Sequence, residues 1–133
     1  MKKGFTLVEL LAVIVILAII ALIATPIVLS IVNDTKRSAT IQSAEFYLDA
    51  TMNAIMKENL KVNGEFNPSV CSVNEDGNIN CDGDDNTLVV DIDGEKPSGG
   101  EITFDNGNVT GAMLEFSGGT VSLNANNQFV YQE

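Results

Sequence analysis

Histidine and tryptophan are absent from this 133-residue chain, cysteine occurs twice, and after Val62 the single basic residue is Lys96. Each shortage removes a class of function. Without histidine there is no imidazole to serve as a general base near neutral pH, and no ordinary zinc ligand set. Neither Cys-x-x-Cys nor the Cys-x-x-Cys-His of haem attachment occurs. No Ser-x-x-Lys or Gly-x-Ser-x-Gly nucleophile motif appears, and no glycine-rich phosphate loop follows a strand pattern. Carboxylate pairs are too frequent in so acidic a chain to mark a glycosidase. The expectation is therefore a protein that is not an enzyme. From Val62 onward thirteen acids face one base, within a net charge of −11. Such a surface repels phosphate backbones, so direct nucleic-acid binding is not expected. The six phenylalanines and two tyrosines are scattered, with no dense aromatic ladder to carry electrons.

What is present is concentrated at the N-terminus. Met1-Lys2-Lys3-Gly4 is followed by Phe5-Thr6-Leu7-Val8-Glu9, then by apolar residues almost without a break to Val32. The run is long enough to cross a bilayer, which takes about 20 apolar residues. Glu9 stands near its start. A lone charge costs about 2.5–3.5 kcal/mol at the centre of an inserted helix and less near its end. A plain anchor has no use for that carboxylate. An ordinary signal peptide fits poorly as well, because the run outlasts its apolar core and no small-residue cleavage site follows. Lys2 and Lys3 precede the span and Lys36 and Arg37 follow it, so the positive-inside count is nearly balanced. The basic leader and acidic C-terminal part argue for an N-terminus inside.

These residues resemble the N-terminus of type IV prepilins and pseudopilins. The likeness is strong from Met1 to about Val32 and fades to general layout beyond. It implies a peptidase cut between Gly4 and Phe5, N-methylation of Phe5, and an assembly role for Glu9. That role is a charge pair with the Phe5 α-amine of a neighbouring subunit, since pairing removes the penalty each charge carries alone in lipid. Pro26 matches a helix-distorting proline of the family. The implied partners are further copies of the chain in a helical homopolymer, the prepilin peptidase, the pilus assembly platform, minor pilins, and the cytoplasmic membrane before assembly. The filament would stand at the cell surface. A pseudopilin of a secretion or DNA-uptake system is the alternative within the family. A membrane-anchored binding module is the alternative of another class. The short lysine-led leader and small acidic head resemble Gram-positive members.

The predicted organisation is a leader at 1–4, a hydrophobic assembly helix at 5–32, the amphipathic half of that helix at 33–62, and a loop and antiparallel sheet at 63–133. Ile41, Ala44, Leu48, Met52 and Ile55 form the apolar stripe of the second half. Asn63-Gly64 stops the helix. Residues Asn67 to Asn86 read as loop, followed by strands at Leu88–Ile92, Glu101–Phe104, Val109–Phe116, Thr120–Leu123 and Gln128–Tyr131, with a hairpin turn at Asp105–Asn108. No internal repeat is apparent. The fold class is α+β, a long N-terminal helix on a small antiparallel sheet. So thin a core benefits from a staple, and Cys71 and Cys81 read as a disulfide worth near 3 kcal/mol at best, with two free thiols as the alternative. No cofactor is expected except, in principle, calcium at Asp82, Asp84 and Asn86. That alternating oxygen pattern opens like an EF-type loop but lacks its glycine and its closing glutamate. A solvated acidic turn is the plainer reading.

Overall fold

The computed structural model describes residues 3–83 and 87–133. Its elements are α1 (Leu7–Lys61), β1 (Val70–Val73), β2 (Ile79–Cys81), β3 (Thr87–Leu88), β4 (Gly99–Asp105), β5 (Asn108–Phe116), β6 (Gly119–Leu123) and β7 (Phe129–Gln132). The chain divides into two compact units, Met1–Thr35 and Lys36–Glu133, and α1 contributes to both.

In the first unit, α1 is apolar and long enough to cross a membrane, by length and composition. Its large side chains from Leu7 to Val32 are exposed. The helix runs through Pro26. Proline has no N–H for the preceding turn, and the ring crowds that turn. Beside it the Thr25 hydroxyl donates to the Ala21 carbonyl at 2.7 Å.

The second unit is an α+β layer pair. All seven strands pair antiparallel in the order β3-β2-β1-β4-β5-β6-β7. One face of the sheet carries Cys71, Val73, Ile79, Cys81, Ile102, Phe104, Ala112, Leu114, Phe116, Val121 and Phe129, all buried. Alternation along each strand puts Ser72, Glu101, Met113 and Glu115 on the exposed side, as expected for a sheet covered on one face. The covering element is α1 between Thr40 and Ile55.

The buried stripe on that helix is Thr40, Ala44, Tyr47, Thr51 and Ile55. The expected stripe shares only Ala44 and Ile55 with it. Ile41, Leu48 and Met52 are partly buried at its margin. The centre belongs to residues with hydroxyls because each hydroxyl finds a partner. Tyr47 Oη donates to the Gly77 carbonyl at 2.8 Å, Thr51 Oγ1 to the Tyr47 carbonyl at 2.8 Å, and Thr40 Oγ1 to the Lys36 carbonyl at 2.9 Å. A satisfied hydroxyl can be buried at little cost.

The helix ends as expected at Asn63-Gly64. Asn63 takes the left-handed conformation (φ 56°) and the Gly64 N–H reaches back to the Asn59 carbonyl at 2.7 Å, a standard helix stop. The Asn106-Gly107 turn also forms, with both residues at positive φ and Asp105 paired to Asn108. Two expectations fail. The stretch 67–86 is not all loop, because it holds β1 and β2, whose exposed-buried alternation is hidden by their brevity. The strand expected at Leu88–Ile92 stops at Leu88. Beyond it Val90 turns into the core and its N–H is taken by Asn78 Oδ1 at 3.3 Å. That side-chain acceptor replaces a ladder partner, so the segment leaves the sheet.

Cys71 and Cys81 are directly opposite on β1 and β2 and are joined. Expected to pin a polar loop, the bridge instead lies in the core, with Cys71 fully buried. Two turns repeat one design unseen in the sequence. Asn74 Oδ1 accepts from the N–H groups of Asp76 and Asn78, and Asn124 Oδ1 accepts from those of Asn126 and Gln128. The first turn is gripped from both sides, by Tyr47 through Gly77 and by Lys96, whose stem occupies the space a Gly77 Cβ would need. The last strand is tied to α1 by Arg37, which pairs with Glu133 at 3.1 Å and lies 5.2 Å over the Tyr131 ring.

Burial raises the pKa of the Tyr47 phenol far above its usual value. The fold thus holds its proton more tightly than the unfolded chain, whose tyrosines titrate near 10. Stability from this group is intact below about pH 10 and is lost as pH rises further. Tyr47→Phe should cost about 1–3 kcal/mol in urea unfolding of the detergent-solubilised chain near neutral pH, because the Gly77 carbonyl loses its donor. It should also flatten the fall in stability above pH 10. An unchanged alkaline slope would show that another group drives it.

Candidate processing and assembly site

Gly4, Phe5, Thr6 and Glu9 lie where the extended N-terminus enters α1. A helix start leaves backbone N–H groups without intrahelical partners. Here Thr6 and Glu9 meet that need reciprocally. The Glu9 N–H donates to Thr6 Oγ1 at 3.2 Å, and the Thr6 N–H donates to Glu9 Oε2 at 2.9 Å. The first helical bond, Leu10 N–H to the Thr6 carbonyl at 3.2 Å, follows directly. This is a capping box, Thr at the N-cap and Glu three residues on. The carboxylate also sits at the positive end of the helix dipole.

Glu9 thus has a role within its own chain that the sequence reading above did not assign. Its signal was legible as Thr6-x-x-Glu9 ahead of an apolar run. Oε2 accepts from the Thr6 N–H, and Glu9 makes no ion pair among the described residues. Phe5 is 92% exposed and a Cβ on Gly4 would meet nothing within 4 Å. The Gly4–Phe5 bond is therefore open to an enzyme. Beside it Phe5, Leu10, Ala12 and Val13 line an apolar hollow that Glu9 borders.

The other site residues lie elsewhere. Pro26 is within α1. Cys71 and Cys81 form the core bridge and are unavailable as thiols. The calcium expectation falls largely outside the described residues, which omit Asp84 and Asn86. Asp82, which is described, turns its carboxylate onto the N–H groups of Ser69 and Val70 at 3.0–3.1 Å. With Asp82 at φ 52°, that contact closes the end of the β1–β2 hairpin. Among the described residues no group of three His, Cys, Asp or Glu side chains converges on a metal position.

Residues 1–25 match the model of the prokaryotic N-terminal methylation motif, the hallmark of type IV pilin and pseudopilin precursors. No curated protein and no solved structure matches the chain.

Thr6→Ala removes one half of the capping box and leaves the Glu9 charge. The first turn of α1 should loosen by about 1 kcal/mol, seen as faster hydrogen exchange at the amides of Leu7 to Glu9 in detergent micelles. Glu9→Gln, which keeps an acceptor oxygen, should leave that exchange nearly unchanged. Equal loosening in both variants would show that the carboxylate charge, not the reciprocal bonding, holds the turn.

Proposed function

We propose that this chain is the precursor of a filament subunit, cut after Gly4, N-methylated at Phe5 and polymerised through α1 into an extracellular type IV pilus. The observation that carries the reading is Glu9, held by Thr6 at the polar start of a helix whose apolar surface has no cover within its own chain. Such a surface needs lipid first and other helices later. Cleavage creates an α-amine at Phe5, cationic near neutral pH. Glu9 can accept it from a neighbouring subunit while Oε2 keeps the capping bond, so pairing does not unwind the helix start. The pair then sets the axial register between neighbours. The acidic head supports the same role, since like charge keeps exported fibres soluble. The role is structural and not catalytic. The processing peptidase, the assembly platform and minor pilins are the partners this reading requires.

The mature protein is expected to begin at N-methyl-Phe5 by mass spectrometry, and Gly4→Leu to leave uncut precursor in the membrane, because a Cβ crowds a peptidase site that glycine enters freely. A terminus near Thr25 or Ser30 would mean an ordinary signal peptidase and end this reading.

Glu9→Leu should insert as well as wild type or better but give little sheared fibre, since losing one partner of a buried pair costs about 3–5 kcal/mol at every subunit. Glu9→Gln, which retains an acceptor oxygen, should be similarly defective, and Thr6→Ala less so. Normal fibre yield from Glu9→Leu would refute the charge pair.

A further inference from the structure

The sheet has two ends. Among the described residues no strand lies beyond the two-residue β3 or beyond β7, so each is an edge to which another strand could add. The two edges differ in chemistry. Beside β3 is a groove of about 400 Å³ between that strand and the last turns of α1. Ala54, Leu88 and Val89 make its apolar part, and Lys57, Glu58 and Lys61 stand on the helix side. Val89 is 68% exposed.

The charge there runs against the rest of the head. Once the leader leaves, the cations are Lys36, Arg37, Lys57, Lys61 and Lys96. Arg37 pairs with Glu133, Lys61 pairs with Glu58 at 3.5 Å, and the Lys96 stem lies against Gly77. Lys57 and Lys61 are two of the five, and both rim this groove. The β7 edge has the complementary character. It is extended, it exposes Val130, and Glu133 follows it with 79% of its side chain exposed. The pairing of Glu133 with Arg37 joins two exposed groups and is worth little, so it can be exchanged.

We propose that the groove between β3 and the end of α1 docks the β7 edge of a second copy of this chain, with Lys57 and Lys61 meeting Glu133. The inference rests on the polymeric reading above and gives it a second contact, between heads, beside the one between helices. The partner adds a strand to the sheet edge, the backbone supplying affinity and alternate side chains supplying specificity. Because β3 and β7 are different surfaces, the contact is head-to-tail and does not close on itself. Repetition of such a contact builds a filament, whereas a self-complementary edge would stop at a dimer.

The test uses full-length chains in cells that make fibres. Val89→Cys and Val130→Cys are made singly and together, and sheared fibres are oxidised and run without reductant. The double variant should give a ladder of covalent multimers. Co-expressed single variants should give a covalent dimer, and each single variant alone should stay monomeric. In parallel, Lys57→Glu with Lys61→Glu should leave N-methyl-Phe5 monomer in the membrane at normal level and lower fibre yield at least tenfold. Closed dimers without a ladder, or no cross-link together with normal fibre yield from the lysine variant, would overturn the docking while leaving polymerisation standing. If wild-type cells carry no fibres at all, polymerisation itself fails and the docking falls with it.

Discussion

From Leu7 to Val32 α1 holds large apolar side chains, each between 42% and 85% exposed. Burying one such side chain is worth about 1.5–3 kcal/mol, so together they represent tens of kcal/mol that water withholds. Glu9, near the end of the span, opposes insertion by at most a few. The apolar term wins by an order of magnitude. The segment must therefore sit in lipid or against other helices, and everything else about the molecule is arranged around that demand. The capping box gives the Thr6 and Glu9 N–H groups partners and holds one carboxylate at the polar start of the helix.

The second unit answers a different problem, that of making a stable domain from fewer than a hundred residues. One helix face covers one sheet face, and the layer is fastened by contacts between segments far apart in sequence. Tyr47 holds the Asn74–Asn78 turn through Gly77, the Cys71–Cys81 bridge locks β1 to β2, and Arg37 ties the last strand to the helix. The connection from β3 to β4 is anchored along its length, by Asn78 at Val90, by burial of Pro97, and by Glu95, which accepts from the Ser117 N–H at 2.9 Å. A thin core is thus supplemented by a disulfide and side-chain-to-backbone bonds.

Many of the acidic and amide side chains that crowd the head have local structural work. Asp82 closes a hairpin end, Asn74 and Asn124 form matching turns, and Glu95 holds Ser117. The spacing that suggested a cation loop arises in part from these turns, because Asn and Asp satisfy nearby backbone N–H groups wherever the chain reverses. What is left on the surface is a predominantly acidic head, with its few cations at Lys36, Arg37, Lys57, Lys61 and Lys96.

The sequence by itself determined the fold class, the apolar span, the Asn63 helix stop, the Asn106-Gly107 hairpin and the strands from β4 to β7. These are encoded by short-range rules of periodicity, left-handed turns and capping, readable within about ten residues. Even the Thr6–Glu9 box was legible in that way. Tertiary structure decided which residue centres the helix stripe, that Val90 leaves the sheet, and that β1 and β2 form at all. A buried hydroxyl at Tyr47 is acceptable only because the Gly77 carbonyl lies across from it, thirty residues away. Val90 turns inward only because Asn78 waits to take its N–H. Two strands of four and three residues persist only because the bridge and the neighbouring β4 hold them. In each case the stabilising partner is distant along the chain, and no local pattern can announce a group that folding has yet to bring near.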